Sequence, residues 1–423
     1  MARTEPGVAA TDATTPIVML GLGPGIFHHG VLGIARSAGR LGIPVYRVGL
    51  ERRAPAALSR YCSGWRSVSA SATDDQILEA LYELRRDVGS AILIAVDDAS
   101  SVFVEEHVSA LDPHFLFPRQ PSGLAQALSS KREMYELCQQ HDIPTPLSIF
   151  PESESEVLEH SELASFPIVA KCINAADAPL ASPRVAIAQD RTELLEAYRL
   201  MESPAGQNVM LQEYIPGTPE TVWMFNGYFD EHSDCRVGFT GRKIRQAPPY
   251  TGATTLGVCL ANPEVHETTV RFMKALGYRG ILDIGYRFDH RDNRYKLLDV
   301  NPRIGGTFRL FVGHDGMDVL RALHLDLTGK QVHTSSLQEG RRWIVEPLDI
   351  ASSIVYGRRG DLTLGGWLRS LRGVREAAWF AADDPLPFLT MWIWLLRDLL
   401  PRASRVVTRR TVARGRANLE RSA

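Results

Sequence analysis

Cysteine is scarce in this sequence and is widely scattered where it occurs. Five cysteines are spread over 423 residues, and no two of them form a Cys-x-x-Cys pair. This spacing excludes both the usual structural zinc sites and a disulfide framework, and it fits a reducing compartment. We therefore expect a cytoplasmic protein.

An excess of charge is also missing. The chain has 47 basic and 49 acidic residues, a net charge of −2, which argues against a nucleic-acid partner bound by bulk electrostatics. No apolar run approaches the ~20 residues that a transmembrane helix needs. Residues 1–15 are small and polar without the pattern of a signal peptide, so we expect a disordered tail there. The length predicts two or three domains.

The first hundred residues after that tail have the pattern of a doubly wound α/β domain, which we place at 16–125. A buried strand at 16–22 runs into a glycine turn, a helix follows at 28–41, and a second strand is predicted at 43–48. Ile26 occupies the third glycine position of G-x-G-x-x-G, so a dinucleotide site is only weakly indicated. The turn is either an anion or carboxylate site or a plain tight turn.

A β-hairpin is predicted at 280–300, and its second arm ends in Asp-Val-Asn-Pro-Arg. Asp299 and Asn301 project to one face of that strand, and Asp283 can join them from the first arm. Two carboxylates and an amide oxygen are ligands that Mg²⁺ takes beside phosphates. Arg303 could hold an anion next to the metal. Taken alone, the motif fits a buried strand with a polar end and a proline turn better than a metal site.

This hairpin resembles the metal-binding end of the ATP-grasp superfamily, and most of all that of D-aspartate-ligase-like carboxylate–amine ligases. The resemblance covers Ser129 to Val312 well and the N-terminal hundred residues loosely. It implies an N-terminal α/β (pre-ATP-grasp) domain and a two-lobed α+β ATP-grasp domain at 126–345. The resemblance does not reach residues 346–423, where we expect a helical C-terminal appendage.

The resemblance also implies an ATP site. The residues that match the family's nucleotide contacts are Lys131 and Lys171 for the phosphates, the hinge Glu213, Tyr214 and Ile215 for the adenine edge, and Glu220 for the ribose hydroxyls. A lysine at a strand end is a compact charge suited to phosphates. Without the family, the lysines would read as solvated side chains and the hinge as an ordinary turn between strands.

A second cationic strand is predicted at 238–246. The period of two places Lys243 and Arg245 on one face, where they could hold the γ-phosphate and the substrate carboxylate. A solvated edge strand is the alternative. By resemblance, the catalytic set is Lys243, Arg245 and Arg303, the metal set is Asp283, Asp299 and Asn301, and the cofactors are ATP and Mg²⁺ or Mn²⁺.

Two departures from the family pattern concern this site. Gly285 occupies the place of the usual acid on the first hairpin arm, and we expect Asp283, two residues earlier on the same face, to replace it. The loop at 174–184, glycine-rich in the family, contains no glycine here. Ser182 or Arg184 could bond the phosphates in its place.

The activity implied by the resemblance is the ATP-dependent joining of a small-molecule carboxylate to an amine through an acyl phosphate, with ADP and phosphate released. Two alternatives stay open. One is an ATP-grasp enzyme with another acceptor, either a carboxylase or a thiol or hydroxyl ligase. The other is a non-catalytic ATP-binding regulatory protein. A homodimer is neither predicted nor excluded.

The C-terminal appendage ends in an unusual stretch. Residues 384–400 are dense in Trp, Leu and Ile, and the tail that follows holds seven arginines against one glutamate. The stretch is either a helix packed on the core or an apolar helix in a membrane interface with a basic follower. The basic follower favours the second interpretation, a peripheral contact through 384–410 with the inner face of the membrane.

Overall fold

The computed structural model describes residues 12–23, 29–50, 54–173, 183–203 and 206–397. Three β-sheets of five, seven and four strands organise them. The loop at 174–182, including Ser182, and the basic tail beyond 397 lie outside the described residues. Residues 12–15, expected in a disordered tail, belong to the described part of the chain, and there the Thr15 carbonyl oxygen lies 3.0 Å from His324 Nε2.

The N-terminal domain is a parallel sheet covered by helices. Its elements are β1 (Ile17–Gly21), α1 (His29–Gly39), β2 (Val45–Gly49), β3 (Gly64–Ser67), α2 (Asp74–Val88), β4 (Ala91–Ala95), α3 (Asp98–Glu106), α4 (Val108–Leu111), β5 (Phe115–Leu116) and α5 (Leu124–Ser129). The strand order β3-β2-β1-β4-β5 confirms the predicted doubly wound α/β fold. Helix α2 begins at a capping box formed by Thr73 and Gln76, two of the signals that mark a helix start.

A smaller α+β lobe follows. It contains α6 (Lys131–Gln140), β6 (Ser148–Ile149), α7 (Glu154–Leu163), β7 (Ile168–Cys172), β8 (Val185–Ala188), α8 (Arg191–Met201) and β9 (Val209–Glu213). Its four strands are ordered β6-β9-β7-β8, and every pairing between them is antiparallel. Helices α7 and α8 enclose its apolar core through Val157 and Leu194. The lobe therefore offers its other surface to the rest of the chain.

The larger lobe is built on the seven-stranded sheet. Its elements are β10 (Val222–Phe229), β11 (Cys235–Ala247), β12 (Ala253–Cys259), α9 (Pro263–Leu276), β13 (Gly280–Asp289), β14 (Arg294–Asn301), α10 (Val319–Leu327), β15 (Arg342–Ile344), α11 (Glu346–Arg358), α12 (Leu364–Ser370) and β16 (Val374–Ala377). Strands β13 and β14 form the predicted hairpin, at one edge of the sheet order β14-β13-β10-β11-β12-β15-β16. The predicted two-lobed fold is confirmed.

One hydrophobic core joins the N-terminal domain to the larger lobe. Leu32 of α1 and Leu320 of α10 belong to the same buried cluster as Met224, Tyr228 and Ile281 of the seven-stranded sheet. These sheet residues alternate with Phe225 and Leu282, which face a different core under α9. One face of the sheet is thus apolar where the N-terminal domain packs on it. The part of the same face that the N-terminal domain does not cover can carry polar residues.

The C-terminal appendage is part of this architecture. Strand β16 extends the seven-stranded sheet at its edge, and α11 packs on β11 and β12. A last helix, α13, covers residues 386–397, where the described chain ends. It places Met391 in the shared core, with Phe388, Trp392 and Leu395 packed against it. One side of this helix therefore docks on the core, as the first of the two interpretations requires.

Another side of α13 stays exposed. Leu386, Leu389, Ile393 and Leu396 are each between 52% and 63% exposed. The inner side of the helix therefore docks on the core, and contact of the outer side with a membrane stays a prediction. No helix among the described residues is long and apolar enough to cross a membrane.

Candidate active site

The polar end of the hairpin lies on the same face of the seven-stranded sheet as the shared core, beyond the part that this core covers. The strand register pairs Asp283 with Asn301 on β14 and with Asn226 on β10, and it pairs Gly285 with Asp299. Directly opposed residues of antiparallel strands share a face. The three predicted metal ligands are therefore neighbours on one surface, as the period of two predicted.

Hydrogen bonds connect these groups. The side-chain amide of Asn301 donates to the Asp283 carbonyl oxygen at 3.2 Å and lies 3.4 Å from Asp299 Oδ2. Arg303 donates to Asn301 Oδ1 at 3.1 Å and to Asp98 Oδ1, at the start of α3, at 2.7 Å. Arg303 is thus held between the hairpin and the N-terminal domain, beside the proposed metal ligands.

Four cations converge near Asp299, and we call them the cleft cations: Lys131, Lys171, Lys243 and Arg287. The Lys171 ammonium donates to Gln212 Oε1 at 2.7 Å, and that of Lys243 donates to the Gly252 carbonyl oxygen at 3.2 Å. Arg287 donates to the carbonyl oxygen of Gly217 at 2.7 Å. Within the described part of the chain, none of the four makes a close ion pair with a carboxylate. Their neutral partners leave the charges available to an anionic ligand.

The pKa values reflect this crowding of like charges. Burial and, after it, the positive charge of Lys131 lower the pKa of Lys171 to about 8, and burial also lowers the pKa of Lys243. Burial alone would raise the pKa of Asp299, but Lys131, Lys243 and Lys171 together lower it. Burial raises the pKa of Asp283 to about 6, even though Arg303 opposes the shift. An anionic ligand would relieve the repulsion among the lysines.

The cleft cations line a cavity of about 240 Å³ between the four-stranded and seven-stranded sheets. Its other walls are Pro146, Val169, Val185, Gln212, Glu213, Tyr214, Ile215, Val222, Gln246, Tyr250, Thr251, Leu298 and Asp299. Apolar walls from both sheets and a cluster of cations suit a ligand with a flat apolar part and a polyanionic part. The predicted Lys131, Lys171, Lys243, Asp299 and hinge residues are therefore brought together in one place.

The two predicted glutamates lie differently. Glu213 lines the cavity, but its carboxylate accepts from Lys296 and from the Leu147 N–H, each at 3.0 Å, and from Arg291 at 2.8 Å. The Glu213 side chain is thus already hydrogen-bonded within the protein, which leaves the backbone of the hinge for contact with a ligand. Glu220 is exposed at the rim, 3.6 Å from Arg242, and is not among the cavity walls.

The expectation that Lys243 and Arg245 share a face is wrong. The pairing of β11 with β12 is irregular on both sides of Arg245, so the simple alternation of faces breaks there. The Arg245 guanidinium is buried instead against Asp349 of α11, with its two nitrogens 2.8 and 3.0 Å from the carboxylate oxygens. Arg245 thus joins the C-terminal appendage to the sheet and takes no part in the cleft.

The C-terminal appendage also supports one wall of the cavity. The Tyr250 N–H donates to the Tyr356 hydroxyl at 3.3 Å, and the Tyr250 hydroxyl donates to Asp361 at 2.5 Å. Ser352 donates to the backbone carbonyl oxygen of Gln246, which is another wall residue. Helix α11 and the turn after it therefore fix the loop that closes this side.

Sequence reasoning missed Arg287 and Asp98. Arg287 could have been found, because residues 283, 285 and 287 of one strand project to the same face. Asp98 could not, because its bond to Arg303 joins residues 205 positions apart and no local pattern reveals it. The capping role falls to Asp97, whose side chain accepts from the Ser100 N–H, while Asp98 binds Arg303.

A divalent cation fits the hairpin end. Within the described ranges, no three His, Cys, Asp or Glu side chains come together in a group that could hold a metal ion. The oxygens that the hairpin end offers to a cation are those of two carboxylates and of the Asn301 amide. A Cβ at Gly285 would lie 2.9 Å from Asp299 Oδ1, so an acid there would displace Asp299. Asp283 avoids that conflict, because its carboxylate lies against Gly305, where a Cβ would overlap it.

An N-terminal α/β domain, two α+β lobes and a cation-lined cleft between their sheets define the ATP-grasp fold, and this chain adopts it. Solved structures agree. The L-amino acid ligase from Bacillus licheniformis has a TM-score of 0.56 at 15% identity, over 74% of each chain. The N5-carboxyaminoimidazole synthetase from Staphylococcus aureus, complexed with ADP, has a TM-score of 0.58 at 12% identity, over 79% of this chain and 83% of that one.

Among curated proteins, the chain is similar to the D-aspartate ligase of Enterococcus faecium. The two are 25% identical over 240 residues, which make up 54% of this chain and 57% of that protein. The match thus spans little more than half of the curated relative. No family model matches the sequence.

Proposed function

We propose that the protein is an ATP-dependent carboxylate–amine ligase that forms an amide bond through an acyl phosphate. The observation that carries this proposal is the convergence beside Asp299 of four cations that make no close ion pair among the described residues, in a cavity between two sheets. Buried cations repel one another, so such a cluster is retained where a polyanion binds. The triphosphate of ATP supplies that polyanion.

In the proposed reaction, an oxygen of the substrate carboxylate attacks the γ-phosphorus, and the bond to the bridging oxygen of ADP breaks. The amine then attacks the acyl carbon and phosphate leaves, with a proton released from the amine. Lys131, Lys171 and Lys243 neutralise the phosphates, and Arg303 holds the acyl phosphate. Mg²⁺ held by Asp283, Asp299 and Asn301 would offset the charge that develops on the phosphate oxygens.

The hinge completes the site. In this proposal the backbone of Glu213, Tyr214 and Ile215 contacts the adenine edge, and Glu220 bonds the ribose hydroxyls. Arg287 also contacts the phosphates and so takes over the anion-binding role that the sequence pattern predicts for Arg245. Nothing in the scheme requires a strong protein base, because positioning and charge neutralisation supply most of the catalysis.

The names of the relatives support an amino acid as one substrate, since they include a D-aspartate ligase and an L-amino acid ligase. Other neighbours support a different acceptor, because a biotin carboxylase from Campylobacter jejuni has a TM-score of 0.57 over 78% of this chain and 75% of that one. A carboxylating ATP-grasp enzyme is therefore the second candidate.

The test is a screen for ADP release with Mg²⁺ and pairs of amino acids, with hydroxylamine added to trap an acyl phosphate. We expect one pair to release ADP and form a hydroxamate. The Lys171→Ala variant should lose this activity, whereas Lys274→Ala, which removes an exposed lysine paired with Asp234, should keep it. ADP release that depends on bicarbonate would favour the carboxylase. ATP binding without turnover under any pair would favour a regulatory protein.

A further inference from the structure

The outer surface of the C-terminal appendage is unusually apolar. Of the fifteen large hydrophobic side chains exposed in the described part of the chain, ten lie after residue 345. Four of them, Leu386, Leu389, Ile393 and Leu396, form what we call the outer stripe. Their spacing of three, four and three residues places them along one side of α13.

The orientation of the outer stripe is fixed. Met391 is fully buried in the shared core, and Phe388 and Trp392 pack against that core from the same side of the helix. The helix therefore cannot rotate to hide the stripe without exposing these residues. Large contiguous apolar surfaces of this kind mark an interaction site.

The charge of the appendage distinguishes among the possible partners. Residues 346–423 contain thirteen arginines, no lysine and eight acids, a net charge of +5, while residues 1–345 carry −7. Four of the eight acids are already paired with arginines from outside the appendage: Asp349 with Arg245, Glu376 with Arg309 and Arg341, Asp383 with Arg40, and Asp384 with Arg36. Within residues 346–397, which the structure describes, six arginines therefore stand against two acids, Glu346 and Asp361, that are not paired in this way.

The appendage's own arginines are not used in the same way. Six exposed arginines belong to the described part of the appendage: Arg358, Arg359, Arg369, Arg372, Arg375 and Arg397. None of them makes a close ion pair with a described residue, and all except Arg397 lie outside α13. A second copy of the chain on the outer stripe would bring two such basic surfaces together. Like charges in that arrangement oppose association. A nucleic acid would leave the apolar stripe uncovered.

We propose that this face binds the surface of an anionic lipid bilayer. The outer stripe would enter the boundary between headgroups and acyl chains, and the arginines would bind lipid phosphates, which their planar guanidinium groups suit well. Helix α13 spans about 18 Å over its twelve described residues, short of the ~30 Å hydrocarbon core, so it lies along the bilayer. The seven arginines after residue 400 adjoin the same helix in sequence.

The test is flotation of the full chain with two sets of vesicles, one of phosphatidylcholine alone and one with added phosphatidylglycerol. We expect binding to the anionic vesicles only, and weaker binding as salt rises. A Leu389→Glu/Ile393→Glu variant should lose at least about tenfold in affinity, because two apolar contacts become charges of the wrong sign. Leu163→Glu is the matched control, since Leu163 is 91% exposed on α7 of another lobe.

Three outcomes would overturn the proposal: no binding to anionic vesicles, equal binding by the double variant and the wild type, or an equal loss in the Leu163→Glu control. A dimer of the wild type that the double variant dissociates, without vesicle binding, would identify a second copy as the partner. Thermal unfolding of each variant shows whether the fold is intact. Both substituted residues are exposed, so their unfolding temperatures should match that of the wild type.

Discussion

The protein buries cations in two regions, and the comparison between them separates scaffold from site. Along the contact between the C-terminal appendage and the rest of the chain, Arg36 binds Asp384 at 2.9 Å and Arg245 binds Asp349 at 2.8 Å. In the cleft, the hydrogen bonds that Lys171 and Lys243 make to described residues go to neutral oxygens. The first region has matched its charges within the fold, whereas the second leaves them for a ligand.

The difference is visible at Asp349. This fully buried carboxylate accepts two bonds from Arg245, one from the Thr255 hydroxyl at 3.0 Å and one from the Trp367 indole at 3.0 Å. These four hydrogen bonds occupy both oxygens of the Asp349 carboxylate, so neither oxygen is left to bind a substrate. A buried charge therefore indicates a functional site only when its partners are incomplete.

The largest effect should come from Asp349→Ala. It leaves Arg245 charged, buried and unpaired, and we expect a loss of about 3–5 kcal/mol in the free energy of unfolding. Urea unfolding followed by circular dichroism measures it. Asp234→Ala, which breaks the exposed pair with Lys274, should cost under about 1 kcal/mol. Equal losses in the two variants would remove the distinction between the buried contact and the surface.

The hairpin ligands should behave in the opposite way. Asp299→Asn should lower ADP formation about 100-fold, as does loss of one charge-stabilising group in other enzymes, while stability stays near that of the wild type. Asp283→Asn should act likewise if Asp283 supplies the carboxylate missing at Gly285. Steady-state ADP release, with unfolding as the control, separates the two effects. Full activity of Asp283→Asn would limit the metal ligands to Asp299 and Asn301.

Lys171 gives the cleft a pH signature. Its pKa is lowered to about 8 in the folded protein from 10.5, so the folded state binds fewer protons than the unfolded state between these values. Stability should therefore rise with pH across that window. ATP favours the charged lysine, so binding near pH 8 should take up a proton. Calorimetry in buffers of different ionisation enthalpy measures this uptake, which Lys171→Arg should abolish while binding persists.

The smallest effect should come from Glu220→Ala. Glu220 is exposed at the rim of the cavity, so losing its ribose hydrogen bonds should weaken ATP binding only a few-fold, equivalent to about 1 kcal/mol. Titration calorimetry measures the change. Arg242→Ala is the control, because it removes the present partner of Glu220 and leaves the carboxylate in place. An effect of Glu220→Ala as large as that of Lys171→Ala would place Glu220 inside the cleft.

Part of the cleft follows from local pattern. The hairpin could be predicted because alternation and turn chemistry act over a few residues. Lys171 and the hinge at 213–215 are identified only by the resemblance to the ATP-grasp family. The position of Arg245 could not be predicted, since irregular pairing around it shifts the face, and Asp349 is 104 residues away. The two sides of α13 also escaped prediction. Both are apolar, so the sequence pattern does not distinguish docking from exposure.

The buried pair of Arg36 and Asp384 has a consequence for how the chain is made. The two residues are 348 positions apart, and the Arg36 guanidinium also donates to the Trp379 carbonyl oxygen at 2.8 Å. At typical rates of synthesis, roughly 20–70 s pass between the appearance of Arg36 and that of its carboxylate. During that interval, helix α1 exposes the charged Arg36 and the apolar side chains that the complete fold buries. The N-terminal domain thus reaches its final packing only when Asp384 has emerged from the ribosome.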